Sequence, residues 1–101
     1  MMAAYKLSNS YGMFGHVCLQ GKYSLADASP RLTVSQAVLR AGGFGPHADK
    51  WHVVLRRGVG KLEQRILINL DAIWRHKDPH EIDPVVWAGD VIIVYQAFEF
   101  F

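Results

Sequence analysis

One cysteine, Cys18, is all that the 101 residues contain, so no internal disulfide can staple the fold and no site can be built on two thiolates. Long apolar runs are missing as well. The longest uncharged apolar stretch is Val91 to Tyr95, far short of the ~20 residues that a membrane-spanning helix needs. The opening MMAAYKLSNSYG has no charged segment leading into an apolar core, so no secretory signal is expected there. Neither sign of charge dominates: 11 Lys and Arg face 9 Asp and Glu, a net +2. That is short of the clustered basic footprint of a nucleic-acid binder, and no nucleic-acid partner is expected. Internal repeats and low-complexity segments are also absent.

What is present is core material. Half the residues are hydrophobic, with three Trp, five Phe and four Tyr, and the length suits one domain. The expected division is a leader or frayed N-terminus at 1–10, a folded domain at 11–96 and a C-terminal tail at 97–101. The best-punctuated stretch is Thr33 to Gly45, TVSQAVLRAGGFG. Thr33 and Gln36 have the spacing of a capping box, and Leu32 and Ala37 that of a hydrophobic staple. Val34, Ala37, Val38 and Ala41 share one helical face, and Gly42–Gly43 supply the positive φ that ends a helix.

Around this helix the alternation predicts strands. Tyr11 to Leu19 reads as one, with a turn at Gln20–Gly21 and a short return over Lys22 to Leu25. Trp51 to Arg57 and Gln64 to Leu70 read as a second hairpin across the GVGK turn. Asp71 to His76 fits one or two helical turns, with Asp71 near the cap, and Val85 to Trp87 a brief strand. Val91 to Tyr95, apolar throughout, reads as a strand buried on both faces and hence central. Hairpin, helix, hairpin, short helix and central strand together predict an α+β fold. Its form is a β-grasp, or ubiquitin-like roll: a mixed sheet of 4–5 strands crossed by one main helix.

The same residues resemble the soluble-ligand-binding β-grasp (SLBB) domains of bacterial polysaccharide export proteins. Phe14, Gly15, His16, Val17, Gly21 and Tyr23 are similar to the family's opening hairpin, with Gln20 where proline is usual. Thr33, Val34, Ala37, Val38, Ala41, Gly42, Gly43 and Phe44 follow its T-V-x-x-A-I-x-x-A-G-G-F segment. Val53, Leu55 and Arg57 fit V-x-V-x-R; Ile68, Asn69, Leu70, Asp71 and Ile73 fit a strand entering a short helix. Gly89, Asp90, Val91, Ile92 and Val94 fit the closing G-D-x-I-x-V, with Ala88 in place of proline. The resemblance covers residues 12–95. It implies a non-catalytic binding and assembly module, without a cofactor, that contacts polysaccharide and neighbouring copies or subunits of an export channel. It also implies a periplasmic, outer-membrane-associated setting, while the lack of a signal leaves the cytoplasm open. A cytoplasmic ubiquitin-like protein-interaction module and a weak single-stranded nucleic-acid binder are the alternatives.

Candidate chemistry is sparse. His76, Asp78, His80, Glu81 and Asp83 are donors at metal-ligand spacing, but Pro79 and Pro84 break any helix that would align them, so a solvated loop is expected and no metal. Cys18 has His16 two residues away on the same strand face, without an orienting acid, and a buried structural thiol is expected. The GGFG segment lacks the Lys-Ser/Thr of a phosphate-binding loop. No catalytic residue is expected. The contact surface is expected on the second hairpin and the turn before the last strand, where Trp51, Arg56, Arg57, Arg65, Trp87 and Asp90 concentrate aromatic faces and guanidinium groups for sugars with acidic substituents.

Overall fold

In a computed structural model, which describes residues 9–25, 31–75 and 81–97, strands and helices alternate along the chain. The order is β1 (Ser10–Gly15), β2 (Gly21–Ser24), α1 (Val34–Arg40), β3 (Ala48–Arg57), β4 (Gln64–Ile68), α2 (Leu70–Arg75) and β5 (Val91–Gln96). A 3-10 turn at Gly60–Leu62 links β3 to β4. The expected leader, except residues 9 and 10, and the tail beyond Ala97 lie outside the described residues. The strands form one five-stranded sheet ordered β2-β1-β5-β3-β4. β1 and β5 run parallel, and the remaining neighbours antiparallel. This is an α+β fold with a mixed sheet, as the patterning predicts.

Strand alternation sorts the side chains onto two faces. Tyr11, Met13, Val53, Leu55, Ile68, Ile92 and Val94 point inward and are buried against Val34, Ala37 and Val38 of α1 and Leu70 of α2. α1 is fixed at both ends by local chemistry. The Thr33 hydroxyl accepts from the Gln36 N–H at 3.5 Å, and the Gln36 Oε1 accepts from the Thr33 N–H at 3.0 Å. This reciprocal cap contributes about 1 kcal/mol. At the other end the Gly43 N–H donates to Val38 and the Gly42 N–H to Leu39, at 2.9 and 3.0 Å. With Gly42 at φ +87, this is a Schellman closure.

The segment 81–86 ties the helix starts to the last strand. The Asp83 carboxylate accepts from the N–H and hydroxyl of Ser35, and the Pro84 carbonyl accepts from the Val34 N–H at 2.9 Å. Val86 donates to Leu32 at 2.8 Å. Glu81 accepts from the Asn69 N–H at 3.0 Å, while the Asn69 side chain caps α2 by accepting from Ala72 at 3.0 Å. Carboxylates at helix N-termini answer unpaired N–H groups and the positive end of the dipole.

Several elements differ from the sequence expectation. β1 stops at Gly15, not Leu19. Gly15 has φ +100, and the chain leaves the sheet there to bridge the end of α1, pairing Val17 with Phe44. Leu19 and Cys18 are consequently exposed, so the thiol is not the buried structural group expected. β3 begins at Ala48 and carries a bulge before Val53. There the Asp49 carboxylate accepts from the Trp51 N–H at 3.0 Å and meets His52 Nδ1 at 2.8 Å. Asn69 caps α2, and Asp71, near the cap in the first turn as expected, pairs with Arg75 at 2.9 Å. Val85 makes a single bridge to Thr33 and no strand. β5 is central in its sheet, but only its inward residues are fully buried.

One polar group in the core has no hydrogen-bond partner among the described residues, the Tyr11 hydroxyl, although the ring stacks on Tyr23 at 5.7 Å. Burial raises the Tyr11 pKa above the usual phenol range, and the nearby Arg40 guanidinium opposes that rise. An unpaired buried hydroxyl costs free energy, so Tyr11→Phe is expected to be neutral or to stabilise by up to about 1 kcal/mol at neutral pH. The folded state holds the phenol's proton more tightly than the unfolded state, so this residue's contribution falls as pH rises above about 10. The variant's urea midpoint should therefore decline less than the wild type's between neutral pH and about pH 10.5. An equal decline would remove Tyr11 as the cause.

Candidate functional site

The end of β3 and the turn before β5 meet around a buried carboxylate. Asp90 has a side-chain exposure of 1% and Arg57 of 17%. Arg57 Nε donates to Asp90 Oδ1 at 3.0 Å and its Nη2 to Oδ2 at 2.8 Å, a bidentate pair. The same Nη2 donates to the Val85 carbonyl at 2.8 Å. Oδ2 also accepts from the Trp87 N–H at 2.7 Å, closing the turn 87–90 on its own carboxylate. Arg57 reaches this position because it shares strand parity with Val53 and Leu55, so its stem follows the core before the head group turns to Asp90.

Trp87 lies over this pair. The Arg57 guanidinium carbon is 3.7 Å from the centre of the indole, a cation–π contact. Trp87 is still 59% exposed, so one ring face rests on the guanidinium and the other meets solvent. The result is an aromatic platform held from beneath. Three of the six expected contact residues, Arg57, Trp87 and Asp90, thus form one unit. Within it, Asp90 is an internal anchor whose two oxygens are already occupied, and Trp87 is the surface that a ligand can touch.

The other three are arranged differently from a single positive patch. Arg56 and Arg65 face each other across β3 and β4 on the outer side of the sheet, opposite in parity to Arg57. Glu63 takes both, at 3.5 Å from Arg56 Nε and 3.3 Å from Arg65 Nε. Trp51 does not lie close by, as the sequence reading had it. It sits within the irregular stretch between Ala48 and Val53, roughly 16 Å along the strand from Arg56 at ~3.3 Å per residue, in a shallow cavity with Ala48, Asp49, Lys50 and Ala97. The alternation of residues 51–57 puts Trp51 on the inward face with Val53 and Leu55, but the register shift between Ala48 and Val53 breaks that parity and Trp51 is exposed.

Of the donors weighed as metal ligands, His76, Asp78 and His80 lie outside the described residues, and Glu81 and Asp83 are engaged at helix starts. Among the described residues, no three His, Cys, Asp or Glu side chains converge as a metal set, and no helix is long and apolar enough to cross a membrane. Comparison with models of known protein families and with curated proteins finds no match for the chain.

Proposed function

We propose that this chain is a β-grasp binding module, similar to the SLBB domains of polysaccharide export proteins, that contacts an acidic glycan through Trp87 and packs against neighbouring subunits of an export channel. The sheet order β2-β1-β5-β3-β4, with β1 parallel to β5 and α1 across one face, supports the β-grasp reading. So does the position of the resembling motifs. The A-G-G-F segment is the helix closure, and the arginine of V-x-V-x-R pairs with the aspartate of G-D-V-I-x-V.

The observation that carries the function is the Trp87 platform. An indole packs against the C–H face of a sugar ring, and its orientation is set in advance by Arg57 beneath it, which lowers the entropy lost on binding. Arg56 and Arg65, both partly exposed on the adjoining strands, supply donors for uronate or other acidic substituents. The reading needs no catalytic group, and it places the module in the periplasm with the rest of such a channel.

Titration of the chain with oligogalacturonate, followed at the indole N–H resonance of Trp87, tests this. The resonance is expected to shift with oligogalacturonate and much less with neutral dextran. Trp87→Ala is expected to weaken binding at least about tenfold, the loss of one stacking contact. Affinity should decline with salt, because guanidinium–uronate pairs are screened, but less steeply than nucleic-acid binding, which rests on phosphate contacts. An unmoved Trp87 resonance, or unchanged affinity in Trp87→Ala, would falsify the glycan assignment.

A further inference from the structure

The outer face of the sheet carries a second, differently built surface. Strand register places Phe14, Ile93, Val54 and Leu67 in one row across β1, β5, β3 and β4. Lys22, Gly12, Val91, Arg56 and Arg65 make the next row across all five strands. Phe14 and Leu67 are 39% and 62% exposed, and Val54, Val91 and Ile93 are half-buried. The buried side chains of both helices belong to the opposite, inner face. Where the two rows meet, Gly12, Phe14, Lys22 and Val91 line a cavity of about 190 Å³. Gly12 opens it: a Cβ there would come within 2.5 Å of the Phe14 ring.

We infer that this face docks an acidic amphipathic helix of a partner protein. Charge decides the partner's chemistry. Among the described residues the basic row presents Lys22, Arg56 and Arg65 against one carboxylate, Glu63, so it favours an acidic border over a second copy of itself, which would bring three cations for each carboxylate. Shape decides the partner's form. Four strands about 4.8 Å apart give an apolar row roughly 14 Å long, with the basic row roughly 7 Å away. A helix laid across the strands offers three turns over roughly 16 Å, with apolar residues at i, i+4 and i+7 meeting successive strands and acidic residues along one border. Three of the four apolar positions, Val54, Ile93 and Leu67, are branched aliphatic side chains that suit the side chains of a protein better than the face of a sugar. The cavity beside Gly12 accepts one anchoring side chain of the partner helix, with Lys22 at its rim. The glycan reading rests on Trp87 and shares only Arg56 and Arg65 with this face, so Leu67, Lys22 and Gly12, which it does not use, separate the two.

The test is an amide-resonance titration of the full chain with a synthetic helical peptide bearing a leucine stripe and one glutamate border. Matched peptides have lysine for glutamate, or the same residues scrambled. The acidic peptide is expected to shift Gly12, Phe14, Val54, Leu67 and Ile93, and to bind at least about tenfold more tightly than either control. Leu67→Glu and Lys22→Glu, both on exposed edge-strand positions, should each weaken it about tenfold while leaving oligogalacturonate binding intact. Gly12→Ala, whose only close contact is the end of a movable ring, should fold and also weaken it. Trp87→Ala should leave the peptide affinity unchanged. Equal binding of the lysine peptide, shifts confined to the Trp87 end, a response only to anionic phosphatidylglycerol vesicles, or self-association through this face with no peptide effect would each overturn the proposal.

Discussion

Arg57→Ala is expected to destabilise the fold by about 3–5 kcal/mol, because it strands a carboxylate that water cannot reach. Asp90 is 1% exposed and would keep only the Trp87 N–H of its present donors. The reverse deletion should cost less. In Asp90→Asn the guanidinium is 17% exposed, keeps the Val85 carbonyl and the Trp87 ring, and can turn toward solvent. Lysine at position 57 restores the charge but not the two-pronged fork, so Arg57→Lys should recover only part of the loss. The double variant Arg57→Met with Asp90→Asn should be more stable than Arg57→Ala alone, since it removes the buried charge together with its partner. Urea denaturation of the four variants measures all of this. A loss below about 1 kcal/mol in Arg57→Ala would mean that the pair is no more than a surface ion pair.

This pair also links the fold to the proposed contact surface. Arg57 ends β3, Asp90 opens β5, and the two residues are 33 positions apart. Their contact closes the sheet at the end where Trp87 projects. On the proposed glycan reading, a ring fixed before the ligand arrives lowers the entropy lost on binding. Here the ring is fixed by a guanidinium that is itself fixed by a buried carboxylate.

The parts of this architecture governed by neighbouring residues were legible in the chain. Thr33 and Gln36 are three apart and cap each other; Gly42 and Gly43 end α1 by backbone conformation alone. The alternation of residues 64–68 and the apolar run 91–95 announced β4 and the central β5. What was not legible depends on contacts between distant segments. The close backbone approach of Gly15 to Val94, 79 positions away, where β1 ends, is a contact between distant segments that the local alternation of residues 11–19 does not signal. Glu81 and Asp83 resembled ligands because their real partners, Asn69 and Ser35, lie on other elements. The run 91–95 is apolar throughout, and composition does not distinguish a fully covered sheet face from a half-exposed one. Trp87, Arg57 and Asp90 were picked for residue type, and their arrangement as platform, support and anchor appears only in three dimensions.

Gly15→Ala is the other substitution expected to be severe, and the other glycines provide the controls. Gly15 sits at φ +100, where a side chain costs about 1–2 kcal/mol whatever surrounds it. A Cβ there would also lie 2.0 Å from the Val94 carbonyl oxygen, which accepts from the His16 N–H at 2.9 Å. Backbone cannot swing aside as a side-chain tip can, so β1 and β5 must separate or the His16 hydrogen bond must break, adding about 1 kcal/mol or more. The sum is at least about 2 kcal/mol, a large part of the ~5–15 kcal/mol by which a domain is stable. Gly43→Ala meets the same kind of backbone at φ +89 but nothing within 4 Å, so its cost should stay near 1 kcal/mol. The difference between the two isolates steric contact with Val94 from the penalty of positive φ. Parallel denaturant curves should show the Gly15→Ala midpoint far below that of Gly43→Ala, or no folded baseline at all. Coincident midpoints would mean that β1 and β5 can part at Gly15 without cost, and the close approach of their backbones would then contribute nothing to the fold.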